Sequence, residues 1–329
     1  MIDRDSADPT EVAKPSGGVF DYLAIARFDH STKHIFIIPG IVFAYVLRGL
    51  RTDTLITNVI LGFAAAACIA SANYVINEWL DRESDRHHPT KSQRSAVQKD
   101  LSGSFVALEW ALFVALGLFL AYILSKATFV IACIFAIQGI VYNVPPIRSK
   151  DRAYVDVISE SINNPLRLMI GWSMVDPATL PPGSIIIAYW FGGAFLMAAK
   201  RLSEYIEIAN SHGIELLSRY RVSFARYTNI SLTVSCFVYA MLSSFFLSIF
   251  LMKYRIEYVI LMPFVTVLFA YYLIISLRPG SSAQKPEKLF VERGLMAIVA
   301  VLSIIFLIAT FIDIPWLDSL TEQRFIALP

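Results

Sequence analysis

The chain has 329 residues, 56% of them hydrophobic and only 16% charged, with a mean hydropathy of +0.59. Soluble domains carry roughly 25% charged residues, so this balance excludes an ordinary soluble protein. A formal charge of +2 says little by itself and indicates no nucleic-acid partner, because in a membrane protein the distribution of charge carries the information.

Residues 1–18, with Asp3, Arg4, Asp5, Asp8, Glu11 and Lys14, lack the basic start and short apolar core of a signal peptide and read as a disordered cytosolic tail. Crossing a hydrocarbon core of about 30 Å takes about 20 helical residues. Apolar runs approaching or exceeding that length follow at 34–50, 54–78, 104–125, 127–144, 154–175, 184–200, 228–252, 255–277 and 294–312. The expected fold is all-α, a polytopic membrane domain of nine transmembrane helices over 19–313, with a short extracytoplasmic tail at 314–329. Cys68, Cys133 and Cys236 each fall inside a span without a Cys or His partner at metal-ligand spacing and read as packing residues.

Of the 28 Lys and Arg, 21 precede the first span or follow an even-numbered one, 6 fall on the other side, and Arg167 lies within span five. The positive-inside rule therefore puts the N-terminus in the cytoplasm and the C-terminus outside. An integral protein of a bacterial inner membrane is expected.

The end of span two carries the first group of polar residues. Helix positions four apart share a face with a drift of about 40° per step, so Asn73, Asn77, Asp81 and Asp85 form a slowly turning stripe with Glu78 beside it. An ionisable group within a spanning helix costs about 2.5–3.5 kcal/mol on insertion scales and marks an ion path or a site. Mg²⁺ takes oxygen ligands, commonly one or two carboxylates plus substrate phosphates, and this spacing suits a phosphate-bound metal. Glu83 and Arg86 read instead as a solvated loop. His87 and His88 read as a polar loop or phosphate contact rather than a metal pair.

Tyr142-Asn143-Val144-Pro145-Pro146-Ile147-Arg148-Ser149-Lys150 closes span four with a proline pair that cannot continue a helix, then delivers two cations. In span five Asp156, Glu160, Asn163 or Asn164, and Arg167 recur at steps of three or four and give it one polar face. Pro165 would loosen the helix there, which is tolerable where the exposed backbone lines a wet cavity. Arg167 either belongs to that cavity or pairs with a carboxylate to fasten two helices. Both acidic groups fall at the cytoplasmic face, so they can meet. Span six ends Lys200-Arg201-Leu202-Ser203-Glu204, and residues 204–226 alternate Ile206, Ile208, Ile214, Leu216 and Leu217 with charges, as an interfacial helix capping the site would.

The string Asn77-Glu78-x-x-Asp81-x-x-x-Asp85 resembles the first motif of the UbiA superfamily of intramembrane prenyltransferases, usually Asn-Asp-x-x-Asp-x-x-x-Asp. Asp156-x-x-x-Glu160 resembles the second, Asp-x-x-x-Asp, and each motif keeps its charge while replacing one Asp by Glu. The 142–150 segment resembles the family's Tyr-Ser-x-Pro-Pro-x-Arg-x-Lys. Arg86-x-His88-Pro89-x-Lys91-x-x-Arg94 and Lys200-Arg201-x-x-Glu204 are most similar to the decaprenyl-phosphate phosphoribosyltransferase branch, although Ser95 stands where that branch has Pro.

The resemblance implies nine helices around a central cavity open to the cytoplasm. It implies Mg²⁺ held by Asn77, Glu78, Asp81, Asp85, Asp156 and Glu160, with Asp81, Asp85, Asp156 and Glu160 as the catalytic carboxylates. Asn73, Lys91, Arg94, Tyr142, Arg148, Lys150, Asn164, Arg167, Lys200 and Arg201 are the substrate-binding candidates. The implied reaction moves 5-phosphoribose from phosphoribosyl diphosphate to a polyprenyl phosphate. The alternatives are an aromatic prenyltransferase using a polyprenyl diphosphate donor and, from another class, a transporter or non-catalytic membrane scaffold.

Overall fold

Backbone N–H and C=O groups surrounded by hydrocarbon must bond within their own segment, so long apolar runs become helices. The computed structural model describes residues 14–49, 53–284 and 289–320, and among these the regular elements are helices, without a β-strand. Seven helices are long and apolar enough to cross a membrane: α3 (Leu55–Asp85), α5 (Gly103–Leu124), α6 (Lys126–Asn143), α9 (Gly183–His212), α11 (Asn229–Tyr254), α12 (Leu261–Ser276, extended by the turn Ile256–Ile260) and α13 (Arg293–Phe311). The shorter helices are α1 (Val19–Ile25), α2 (Ile38–Arg48), α4 (Ser95–Gln98), α7 (Val155–Ser161), α8 (Asn163–Val175) and α10 (Ile214–Tyr220).

Two of the nine expected spans are built differently. The run 34–50 is a 3₁₀ stretch, Phe28–Ile37, leading into the short α2. The run 154–175 is parted at Ile162 into α7 and α8, because Pro165 has no N–H to return to the carbonyl of Ser161. Two other spans run further than their apolar stretch. Helix α3 continues through the acidic string to Asp85, and α9 continues past Lys200 to His212.

Two apolar clusters hold the bundle. Ala66, Ile69, Ala132, Phe135, Ile170 and Met174 join α3, α6 and α8, while Ala194, Phe195, Ala198, Leu202, Cys236 and Tyr272 join α9, α11 and α12. Helices α2 and α8 cross closely at Gly40 and Gly171, where a Cβ on either would overlap the carbonyl of Leu168 or Ile37, a small-residue contact of the kind membrane helices favour. Exposed side chains such as Leu108, Leu112, Phe119, Ile304 and Leu307 on α5 and α13 present a surface suited to lipid.

At the start of the chain, the Gly17 N–H donates to the Asp100 carbonyl and the Asp100 N–H to that of Pro15, at 3.0 and 3.1 Å. Residues 15–17 are thus tied down rather than loose, and 1–13 of the expected tail lie outside the described residues. Of the expected C-terminal tail, Pro315–Leu320 forms a 3₁₀ turn with Leu317 buried, and 321–329 lie outside the described residues.

Candidate active site

The polar stripe on α3 faces inward, as its period requires. Asn73, Asn77, Asp81 and Asp85 line a cavity of about 230 Å³ between the two apolar clusters. Glu160 of α7, Asn163, Asn164 and Arg167 of α8, and Lys200 and Arg201 of α9 complete its far side. Tyr142, Lys91 and Arg94 also reach it.

Four expected site residues stand behind this wall. Glu78 follows Asn77 and so points about 100° away around the helix, where its carboxylate lies 4.0 Å from both Arg27 and Arg94. Lys150 and Arg148 reach Asp81 from the rear, at 2.6 and 2.9 Å from Oδ1. Burial pushes the Lys150 ammonium down to about 8, with Asp81 pulling it back up. Arg148 holds a left-handed backbone, φ 31°, and its guanidinium also bonds Asp151 at 2.8 Å and the Asn143 carbonyl at 3.2 Å. Such non-glycine conformations persist where surrounding contacts over-determine them.

Asp156 is fully buried. It accepts from the Tyr227 hydroxyl at 2.6 Å, the Ser223 hydroxyl at 3.1 Å and Arg201 Nε at 3.3 Å. The geometry makes it an anchor for Arg201 and for the segment after α10. Asp156→Ala should therefore cost stability of about 3–5 kcal/mol, the usual loss when one partner of a buried pair goes. Urea or thermal unfolding in detergent checks this, and an unchanged midpoint would argue against the anchoring role.

A cap crosses the mouth of the cavity. His88 Nε2 and Lys91 Nζ approach Glu204 Oε1 at 3.3 and 3.4 Å, while Arg201 Nη1 approaches Oε2 at 3.3 Å. Arg94 pairs with Asp85 at 2.5 Å. Tyr220 of α10 packs edge-on against His88 and under the Lys91 ammonium, with Leu217 and Phe224 buried beside it. Burial lowers the His88 pKa, which favours the neutral ring at neutral pH. This is the capping role expected of 204–226, performed by the end of α9, α10 and a 3₁₀ turn, Val222–Arg226.

Several lining residues have no sequence signature. Arg27 and Lys33 come from the segment before α2, and Arg221 from the link between α10 and α11. Arg221 Nη2 donates to the Tyr142 hydroxyl at 3.3 Å, and burial is outweighed by Tyr142, Asp156, Glu204 and Asp81, which keep its pKa raised. Only its position near the acidic groups in three dimensions reveals it.

Among the described residues, eight Lys and Arg line the cavity against three Asp and Glu. Desolvated cations in that excess are costly unless anions join them, so the cavity suits a polyanion. Among the described residues no three His, Cys, Asp or Glu side chains converge into a closed metal cage. Asp81, Asp85 and Glu160 are the carboxylates among the lining residues, and Mg²⁺ takes oxygen donors, often one or two carboxylates with substrate phosphates completing its shell.

A family model described as the UbiA prenyltransferase family matches residues 36–294. The chain belongs to the UbiA prenyltransferase family. Its fold agrees with that of a UbiA homolog from Archaeoglobus fulgidus bound to GPP and Mg²⁺, with a TM-score of 0.66 and 20% identity over 89% of this chain and 100% of that one. The Archaeoglobus fulgidus UbiA homolog bound to DMAPP and Mg²⁺ gives a TM-score of 0.65 at 21% identity, with the same coverage of both chains. The nodulation protein NoeC of Azorhizobium caulinodans is 28% identical over 189 residues, 56% of this chain and 59% of NoeC. The match thus spans less than two thirds of NoeC. UbiA membership, with seven membrane-length apolar helices, makes this an integral membrane protein of the prenyltransferase type; the Archaeoglobus fulgidus homolog is bound to Mg²⁺ in both structures.

Proposed function

We propose that this UbiA-family protein transfers 5-phosphoribose from phosphoribosyl diphosphate to a polyprenyl phosphate. The observation that carries this reading is the cationic surplus and its spread. A prenyl diphosphate brings one anionic head and an apolar tail. Phosphoribosyl diphosphate and a lipid phosphate together bring three separate phosphate-bearing groups, and the lining cations are dispersed to match. Lys91 and Arg94 lie on the cap, Lys200 and Arg201 on α9, Arg167 on α8, and Arg27 and Lys33 beside α2. Lys33, Arg201 and Lys91 all lie within Coulombic reach of Lys200, an arrangement that like charges sustain when anions separate them.

In this reading the C1–O bond to diphosphate breaks, the diphosphate leaves with the electron pair, and a lipid phosphate oxygen forms the new bond to C1. Asp81, Asp85 and Glu160 are the residues that would hold Mg²⁺, which when bound with the diphosphate would supply charge neutralisation for the leaving group. Lys91, Arg94 and Arg201 stabilise the same developing charge, and Lys200 with Arg221 faces the remaining phosphates. Asn77 is held in place by a 2.5 Å bond from its Nδ2 to Asn143 Oδ1 and supports the metal-bearing face of α3. An ionised acceptor needs no general base. The positive-inside charge distribution puts the N-terminus and the cavity mouth on the cytoplasmic side of a bacterial inner membrane, with nine passes in all and the C-terminus outside.

Aromatic prenyl transfer is the second reading, favoured by the structural neighbours that bind GPP and DMAPP. Membranes supplied with Mg²⁺ and labelled phosphoribosyl diphosphate should incorporate label into a lipid phosphate. Incorporation solely from a prenyl diphosphate into an aromatic acid would select the second reading.

A further inference from the structure

Helix α1 is apolar on both of its sides, with Asp21 as its one charged residue. Inward, Ile25 and the Ala26 that follows it are fully buried, and with Tyr22 they pack against Val75, Leu101 and Val106. Outward, Val19, Phe20, Leu23 and Ala24 fall within about 140° of arc at 100° per residue. All four are exposed, Phe20 at 87% and Val19 at 74%. A helix apolar all round belongs where something apolar covers its outer side too.

Its place in the bundle names that cover. The Ser102 N–H donates to the Tyr22 hydroxyl at 2.9 Å, and Ser102 stands just before the first turn of α5, so α1 lies level with the end of that spanning helix. Trp79 and Trp110 join Tyr22 around the same cluster, the enrichment in Trp and Tyr that marks a membrane–water interface. The Tyr22 ring packs edge-on against Phe105 with centroids 5.9 Å apart, and Phe105 is exposed on α5 with Leu108 and Leu112. The outward arc of α1 thus continues a surface suited to lipid. Residues 1–13, with Asp3, Asp5, Asp8 and Glu11, offer no apolar run to cover it. We infer that α1 is an interfacial arm, lying in the plane of the membrane with Val19, Phe20 and Leu23 inserted among the lipids of the leaflet at the cavity's mouth. Arg27 follows at once, where a left-handed backbone, φ 53°, turns the chain and the residue lines the cavity. The arm ties the height of one lining cation to the membrane surface.

The test places a fluorescent label at Phe20→Cys in the full chain, with Cys68, Cys133 and Cys236 replaced by alanine, and reconstitutes it in lipid nanodiscs. Lipids carrying a nitroxide near the headgroup should quench this label more than lipids carrying it at the chain end, as expected of a group about 5–10 Å into the headgroup and acyl boundary. A label at Glu83→Cys, where the structure leaves the side chain 62% exposed, should instead respond to a water-soluble quencher and not to the lipids. Phe20 points outward, so neither the substitution nor the label disturbs the packing beneath α1. Quenching of the residue 20 label by the water-soluble agent as strongly as at Glu83 would overturn the arm. A label shielded from both quenchers would overturn it as well, because it would assign the face to a protein contact, such as a second copy of this chain.

Discussion

Asp81→Asn should lower turnover by about 10²- to 10³-fold, the scale on which removing one electrostatic element of a preorganised site acts. Asp81 lines the cavity and is gripped from behind, by Lys150 at 2.6 Å and Arg148 at 2.9 Å. Asparagine keeps the volume and one acceptor but removes the charge. The effect on stability should be smaller than the effect on turnover. Lys150, already lowered to about 8 by burial, loses the carboxylate that raises its pKa, so its buried charge becomes easier to shed. Turnover per folded molecule, measured beside a thermal unfolding midpoint, separates the two. A variant that unfolds early yet works at full rate once folded would remove Asp81 from the chemistry.

Stripping divalent ions with a chelator should stop transfer to below about one part in a thousand, and added Mg²⁺ should restore it. The leaving diphosphate carries several negative charges, and metal ions supply several kcal/mol of stabilisation for such charge, which at about 1.4 kcal/mol per tenfold change in rate is at least that factor. The eight lining cations hold substrate without the ion, so substrate affinity should fall far less than turnover. Undiminished transfer in the presence of excess chelator would refute the Mg²⁺ assignment for Asp81, Asp85 and Glu160.

The α3 side of this site was legible because helical periodicity is a local property. Asn73, Asn77, Asp81 and Asp85 were one stripe in the sequence and are one stripe in the cavity. Glu160, Asn164 and Arg167 follow the same logic on α7 and α8, and Pro165 signalled where that run would part. Glu78 was read as lying beside the stripe and Asp156 as part of the polar face of span five, and neither is among the cavity-lining residues. Motif letters carry no information on which way a side chain points, whereas a one-residue step along a helix does. Arg27, Lys33 and Arg221 lie on segments with no sustained period, so only the tertiary path of the chain brings them in. The run 34–50 reads as one unbroken span because apolar composition is indifferent to backbone continuity, whereas its first part is a 3₁₀ stretch.

The fastening of the cap has a thermodynamic corollary. Arg94 is spent on Asp85, and Lys91 on Glu204, while Asp81 is spent on Lys150 and Arg148. Acid and base in the resting protein thus neutralise one another. A phosphate drawing Arg94 to itself would release Asp85 and make it available to a divalent ion, while Asp81 stays held from the rear by Lys150 and Arg148. Each ligand thereby prepares the other's seat, and linkage requires the favour to be mutual. The cation and the phosphorylated donor should titrate as cooperative co-ligands, each binding more tightly in the presence of the other.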